Sequence, residues 1–211
     1  MNHLIVITAG MGSPSTSRML GDRLAAATVA GFGGGVTPRV EVVELRDLAV
    51  DLAHLYTSRV PSPRLQEAFD LVKSASGVIA VSPVLNGSMN GLFKLFFDLL
   101  EEGAMAGRPV LLAATGGTAR HSLAIEQSML PMFFYLKAVV EPTAVFAATA
   151  DWGAGSFEGP ARGVDGARDS GLVARIDRAG SDFAALVTAR PGSTFDGFAD
   201  VPDFESLLGL S

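Results

Sequence analysis

Hydroxyl side chains cluster near the start of the chain, where residues 9–18 read Ala-Gly-Met-Gly-Ser-Pro-Ser-Thr-Ser-Arg. An apolar run precedes this first loop, and a stretch with apolar residues at helical spacing follows it. The hydroxyls therefore fall at the start of a predicted helix, where free amides and the helix dipole favour an anion. We expect a site for one phosphate group, with a helix cap that binds no ligand as the plain alternative.

The first loop lacks two well-known phosphate-binding signatures. Gly10 and Gly12 begin a Gly-x-Gly-x-x-Gly pattern, but Ser15 occupies the position of its third glycine. No lysine follows a glycine as a P-loop requires. A phosphate here would be bound mainly by hydroxyls and backbone amides, with Arg18 as an additional charge inside the helix.

A second loop, residues 82–91, reads Ser-Pro-Val-Leu-Asn-Gly-Ser-Met-Asn-Gly and separates two apolar runs. We interpret it as a rigid turn between a buried strand and a helix. Such a turn presents backbone N–H and C=O groups that can hold a planar heterocycle, and Asn86 adds a side-chain amide. The alternative is an ordinary Asn-Gly surface turn.

A third loop, residues 115–121, reads Thr-Gly-Gly-Thr-Ala-Arg-His. Gly116 and Gly117 leave room for a flat ring to approach the backbone. Arg120 and His121 follow at the start of another predicted helix, and a lone histidine in such a place is more often inert than catalytic.

Five strands alternating with helices must position these loops. We predict strands at 3–9, 39–45, 77–81, 109–115 and 139–148, the last irregular because of Pro142. We predict helices at 16–30, 61–75, 92–100, 121–137 and 170–188, and loops at 46–60 and 151–169. This alternation is typical of an α/β fold with a doubly wound five-stranded parallel sheet and helices on both faces. The three loops then share the carboxyl edge of the sheet, where ligands bind in such folds.

Composition narrows the class of protein. The 211 residues, 48% of them hydrophobic, suffice for one domain at 1–190 and a tail at 191–211 that docks on the domain or on a partner subunit. The net charge of −6 disfavours nucleic-acid binding. No apolar run reaches the roughly 18 residues of a membrane span, and no secretory signal is recognisable. We expect a cytoplasmic protein with a small-molecule ligand.

Metal chemistry is not indicated by the sequence. The chain contains no cysteine, which excludes thiolate ligands, disulfides and cysteine nucleophiles. Its three histidines, His3, His54 and His121, are far apart in sequence and show no metal-ligand spacing.

Taken together, the three loops resemble those of the NAD(P)H-dependent FMN reductase family, which has a flavodoxin-like fold. The resemblance rests on the serine-rich first loop, on Pro-x-x-Asn-Gly-Ser before Gly-Leu-Phe-Lys-x-Phe-Phe-Asp, and on Ala-Thr-Gly-Gly-Thr-x-Arg-His-Ser. It covers residues 4–148 and is strongest to reductases that supply reduced flavin to luciferase-like monooxygenases. It implies FMN and NAD(P)H as cofactors and a possible flavin-dependent monooxygenase as partner.

The resemblance also implies which residues bind the flavin. Five would surround the FMN phosphate: Ser13, Ser15, Thr16, Ser17 and Arg18. Five more would run along the isoalloxazine and ribityl: Pro83, Val84, Leu85, Asn86 and Gly87. Three would approach the ring from the third loop: Thr115, Gly116 and Gly117. The chain departs from the family pattern at Pro14, where many members have arginine, and at Leu85, where many have an aromatic residue. The second departure favours loosely bound flavin, as suits an enzyme that uses FMN as a substrate.

The implied reaction is hydride transfer from nicotinamide to flavin N5, which needs position and electrostatics rather than a general acid or base. We therefore name no catalytic side chain and no metal ligand. Predicted helices 92–100 and 121–137 are apolar on more than one face, which indicates either a deep core or an interface between subunits. The resemblance favours the interface and implies a homo-oligomer, either a dimer or a tetramer.

Other functions remain open at the level of sequence. A related enzyme would keep FMN as a fixed prosthetic group and reduce quinones, azo dyes or metal oxyanions. A flavodoxin-type electron carrier would bind FMN tightly without nicotinamide activity. A structural module with no ligand would not be stabilised by FMN. The preference between NADH and NADPH is undecided.

Overall fold

A parallel sheet forms the centre of the fold. The computed structural model of the chain describes residues 2–33, 37–152 and 171–190. Its strands are β1 (His3–Thr8), β2 (Arg39–Glu44), β3 (Gly77–Leu85), β4 (Ser88–Met89), β5 (Pro109–Gly116), β6 (Val139–Val140) and β7 (Val145–Ala148). The order is β2-β1-β3-β5, with both β6 and β7 beside β5, and all of these strands are parallel. The predicted five-stranded, doubly wound parallel sheet is confirmed.

Helices cover both faces of the sheet. They are α1 (Thr16–Gly31), α2 (Ala49–Ser58), α3 (Pro63–Ser74), α4 (Gly91–Asp98), α5 (Leu130–Tyr135) and α6 (Leu172–Ala189). Helices α1 and α6 pack with Leu4 and Val6 of β1, whereas α2 to α5 pack with Ile5 and Ile7. Because successive side chains of a strand point to opposite faces, a continuous apolar run is what a strand covered on both faces requires.

Strand β3 is four residues longer than predicted. Residues Pro83 to Leu85, expected in a loop, continue the strand, and β4 pairs with them in an antiparallel hairpin. Asn86 and Gly87 form its two-residue turn with φ values of 51° and 80°. Positive φ at both positions is typical of the type I′ turn, which favours Asn-Gly. The second predicted loop is therefore largely a β-hairpin.

The predicted loop at 46–60 was wrong. A 3₁₀ turn, Leu45–Leu48, leads into α2, which ends at a left-handed Arg59. Leu48, Leu52 and Leu55 are buried against the core. Their spacing of four and three residues is the helical signal that the polar composition of the segment obscured.

Two predicted elements are interrupted in the structure. The strand expected at 139–148 is divided into β6 and β7, which pair with successive parts of β5 on either side of an irregular segment containing Pro142. The helix expected at 121–137 consists of a 3₁₀ turn (Ala119–His121), a π-helical segment (Ile125–Met129) and α5.

Some predictions fall outside the described residues. The expected docking of the tail at 191–211 and most of the expected loop at 151–169 belong to this group. Within the described ranges, no helix combines the length and the apolar composition that a membrane span requires.

Candidate functional site

The three predicted loops meet at the carboxyl ends of β1, β3 and β5. Thr8 of β1 lies beside Val81 of β3, and Pro83 of β3 lies beside Thr115 of β5. The chain leaves β1 for β2 on one side, while β3 lies on the other. This is the topological switch point at which open α/β sheets bind ligands.

A buried hydrogen bond joins the first loop to the third. The Ser17 Oγ lies 2.8 Å from the Thr115 Oγ1, and both side chains are almost fully buried. Ser17 belongs to the first turn of α1, and Thr115 is near the end of β5. The hydrogen bond between the two hydroxyls fixes the relative position of α1 and β5.

Asn90 joins the first loop to the hairpin, and sequence reasoning missed it. Its Nδ2 donates to the carbonyl of Ala9 at 3.3 Å, and its Oδ1 accepts from the Leu92 amide at 2.7 Å, capping α4. Its own amide donates to the Ser82 Oγ at 2.9 Å. An asparagine directly before the Gly-Leu-Phe start of a helix is a capping signal that could have identified it.

The start of α1 offers hydrogen-bond donors. The Ser15 Oγ accepts from the Arg18 amide at 3.1 Å, and the Ser15 carbonyl accepts from Met19 as the first intrahelical bond. The amides of Thr16 and Ser17 precede that bond and have no intrahelical acceptor. The hydroxyls of Ser13 and Thr16 are exposed, and no acidic residue occupies the first turn. This end of the helix suits an anion.

The side chain of Arg18 forms ion pairs with two carboxylates. Its Nε donates to both oxygens of Asp22, at 2.8 and 3.0 Å, and its Nη1 donates to Glu44 at 2.7 Å. The hydrogen bond to Asp22 raises the pKa of Arg18 above its ordinary value, assisted by Glu44 and opposed by partial burial. Because Asp22 lies one turn further along α1, the guanidinium is drawn away from the helix start.

The hairpin places its predicted site residues along one ribbon. Pro83 and Val84 are half-buried within β3, Leu85 is 39% exposed, and Asn86 and Gly87 form the tip. The Met89 amide of β4 donates to the Ser128 Oγ at 3.3 Å. The hairpin is therefore connected to the π-helical segment rather than projecting freely.

Two adjacent glycines in the third loop differ in their surroundings. A Cβ built on Gly116 would lie 2.8 Å from the Phe146 ring, so the fold itself requires a glycine there. A Cβ built on Gly117 would meet nothing within 4 Å, and Gly117 has no positive φ. Neither packing nor backbone conformation requires a glycine at 117, and the open space there leaves room for a planar ligand against the backbone. The residues present therefore fit a flat ring.

A separate groove of about 220 Å³ lies beside the edge strand β2. Val42 and Glu44 of β2, with Arg64 and Leu71 of α3, are among its lining residues. Its lining includes no residue of the three loops. In the described part of the chain, no cluster of three or more metal-ligating side chains occurs.

Comparison with known proteins identifies the family. The family model described as NADPH-dependent FMN reductase matches residues 3–153, which include all three loops. The chain belongs to this FMN reductase family. The resemblance stated from the sequence is thereby confirmed.

Individual members of the FMN reductase family align over most of the chain. An FMN reductase (NADPH) of Pseudomonas aeruginosa is 34% identical over 149 residues, which cover 71% of this chain and 78% of that protein. The NADH-dependent FMN reductase SfnE of Pseudomonas putida is 34% identical over 150 residues, with the same coverage of both chains. Like its family, this chain is an oxidoreductase, with NAD(P)H-dependent FMN reductase activity and with flavin and nicotinamide as its small-molecule partners.

Solved structures share the fold of this chain. An oxidoreductase from Corynebacterium diphtheriae superposes with a TM-score of 0.80 at 36% identity, covering 90% of this chain and 99% of that chain. The apo form of an NADH:FMN oxidoreductase (EMOB) has a TM-score of 0.73 at 22% identity, covering 92% of this chain and 94% of that one. At that identity the second likeness supports the flavodoxin-like fold alone.

Proposed function

We propose that the chain binds FMN across the three loops and promotes hydride transfer from NADH or NADPH to the flavin N5. The observation that carries this proposal is the open space at Gly117, close to the buried Thr115 and after the half-buried Gly116. A glycine that the fold itself does not require, at the switch point of an FMN reductase, is explained by a flat ring against the backbone.

The start of α1 would hold the flavin phosphate. The hydroxyls of Ser13 and Thr16 are exposed there, and the amides of Thr16 and Ser17 lack intrahelical acceptors. Ser15 caps the helix by accepting from the Arg18 amide, which leaves the Thr16 and Ser17 amides available to an anion. Arg18 supports this end through Asp22 and Glu44 instead of binding the phosphate with a free guanidinium.

The remaining site residues would orient the ring. The hairpin from Pro83 to Gly87 would lie along one side of the flavin ring, and Gly116 and Gly117 along another side. Backbone amides there would stabilise negative charge on the reduced flavin. Bound FMN supplies the redox chemistry itself, accepting a hydride at N5. The side chains of this chain hold and orient the two rings, and none needs to exchange a proton for that step.

We propose further that FMN is a substrate of this enzyme, which releases it in the reduced form to a flavin-dependent monooxygenase. Two observations support weak retention. Arg18 in the first turn of α1 and Arg46, which contacts the first loop, are paired with carboxylates, and Leu85 offers no aromatic ring for stacking. Both reduce the interactions that would hold a prosthetic flavin permanently.

We also propose that the enzyme is a homo-oligomer, through the face formed by α4 and α5. On α5, Phe134 is 60% exposed, Tyr135 is 87% exposed and Met132 is half-buried, and α4 carries the half-buried Leu95. Exposed aromatic residues grouped with aliphatic ones mark interfaces between proteins.

An oxidation assay tests the proposed function. NADH or NADPH consumption by the purified protein should depend on added FMN, and single-turnover measurements should detect reduced FMN free in solution. Turnover on quinone with a flavin that stays bound through gel filtration would instead identify a reductase with a prosthetic group.

A further inference from the structure

Arg46 lies outside the three loops and is hydrogen-bonded to the first of them. Arg46 follows β2 in the 3₁₀ turn, and its Nη1 donates to the carbonyl of Gly12 at 2.7 Å. Gly12 immediately precedes Ser13, the first of the hydroxyl residues at the start of α1. The bond therefore holds the backbone of the first loop at the point where it enters the proposed phosphate site.

Two carboxylates hold Arg46 in that orientation. Its Nη2 lies 3.3 Å from the Glu44 Oε2, and its Nε lies 3.5 Å from the Asp47 Oδ1. The other oxygen of Glu44, Oε1, accepts from Arg18 at 2.7 Å. Glu44, at the end of β2, thus contacts both Arg46, which holds the loop, and Arg18, in the first turn of α1.

We propose that Arg46 is a positioning residue for the flavin phosphate and acts through the Gly12 carbonyl. Its guanidinium sets the path of residues 10–15, so that the hydroxyls and amides at the start of α1 converge on one anion. Arg46 acts on the backbone of the loop, since its Nη1 donates to the Gly12 carbonyl while its Nη2 and Nε lie beside Glu44 and Asp47. Arg46 therefore contributes to discrimination between FMN and riboflavin, which lacks the phosphate.

Removal of Arg46 should leave the fold intact. Its side chain is one-third exposed, and Glu44 keeps Arg18 as a partner when Arg46 is absent, so no buried charge is left uncompensated. Arg39 provides a matched control, because it begins the strand that Arg46 follows, pairs with Glu41 and sits at the opposite, amino end of β2.

The test is a titration of the purified full-length chain with FMN and with riboflavin, in which the quenching of flavin fluorescence measures binding. Arg46→Ala should weaken FMN binding about ten-fold, as expected for one charge-assisted hydrogen bond, and change riboflavin binding less than about two-fold. Arg46→Lys should keep part of the preference for FMN over riboflavin, since an ammonium can replace one N–H donor of the guanidinium. Arg39→Ala should match the wild type with both ligands.

Equal weakening for both flavins would show general loosening of the fold, and no weakening would show that Gly12 needs no anchor; either result would overturn the role of Arg46. Because that role depends on the proposed flavin site, the wild type serves as the reference. A wild-type protein that binds neither flavin would contradict the proposed function itself. A wild type that binds FMN, together with an Arg46 variant whose preference for FMN over riboflavin is unchanged, would contradict only the role of Arg46.

Discussion

The Ser17 and Thr115 hydroxyls lie 2.8 Å apart in the interior, between the first turn of α1 and the end of β5. The two residues are 98 positions apart in the sequence. This contact joins the element that would hold the flavin phosphate to the element that would face the flavin ring. The separation between the two halves of the site is therefore set by the packed core.

Loss of either hydroxyl should destabilise the protein and the site together. Ser17→Ala or Thr115→Val leaves one buried hydroxyl unpaired, which costs about 1–3 kcal/mol in the free energy of unfolding, whereas the double variant should cost less than the sum. Urea denaturation measures these values. Thr28→Val, which removes a buried hydroxyl bonded within α1, should reduce stability without changing FMN affinity. Strict additivity of the two single variants would contradict the pairing.

Asn90 should affect flavin binding separately from its capping role. Asn90→Ala removes the α4 cap and the bond to Ala9, and we expect a loss of about 2 kcal/mol in the free energy of unfolding. Asn90→Ser keeps a capping oxygen but cannot donate to Ala9, so it should recover part of the stability while still weakening FMN binding. Thermal unfolding and FMN titration measure the two effects. Wild-type FMN affinity in Asn90→Ser would show that the Ala9 bond is irrelevant to the site.

The adjacent glycines of the third loop should respond in opposite ways. Gly116→Ala forces a Cβ against Phe146 and should cost about 1–3 kcal/mol of stability. Gly117→Ala meets only open space and should change stability by no more than about 1 kcal/mol, either way. It should nevertheless weaken FMN binding about ten-fold or more, because the methyl group occupies the proposed ring position. Unchanged FMN affinity in a stable Gly117→Ala protein would contradict the proposed position of the flavin ring against this loop.

The tip of the hairpin depends on its turn residues. Gly87→Ala introduces a side chain at φ 80° and should cost about 1–2 kcal/mol in unfolding free energy. Asn86→Gly should be tolerated better in the folded state, because a type I′ turn accepts glycine at both positions. Chemical denaturation compares the two variants. Equal destabilisation by both would indicate that positive φ is not what the turn requires.

Sequence alone predicts β1, β5 and the first part of β3 well because each contains a continuous apolar run, whereas β2 shows only an alternation of valines with charged residues. The limits of prediction are seen in particular residues. Asn86 and Gly87 were interpreted as part of a loop, although Asn-Gly between extended residues is a hairpin signal. Helix α2 was missed because Leu48, Leu52 and Leu55 are separated by polar residues. These signals are local and were present in the sequence.

Residues that join distant elements could not be predicted. The bond from Arg46 to Gly12 spans 34 positions, and the bond from Asn90 to Ala9 spans 81. No spacing rule relates such positions, because only the folded sheet brings them together. The opposite surroundings of Gly116 and Gly117 likewise depend on the position of Phe146, which belongs to β7.

A crystal structure of the protein with FMN would show whether the three loops bind the flavin. We predict electron density for the phosphate at the start of α1, within hydrogen-bond distance of Ser13 and Thr16, and for the ring against the backbone of Gly117. Density for the flavin in the groove between β2 and α3, with the three loops unchanged, would contradict the account.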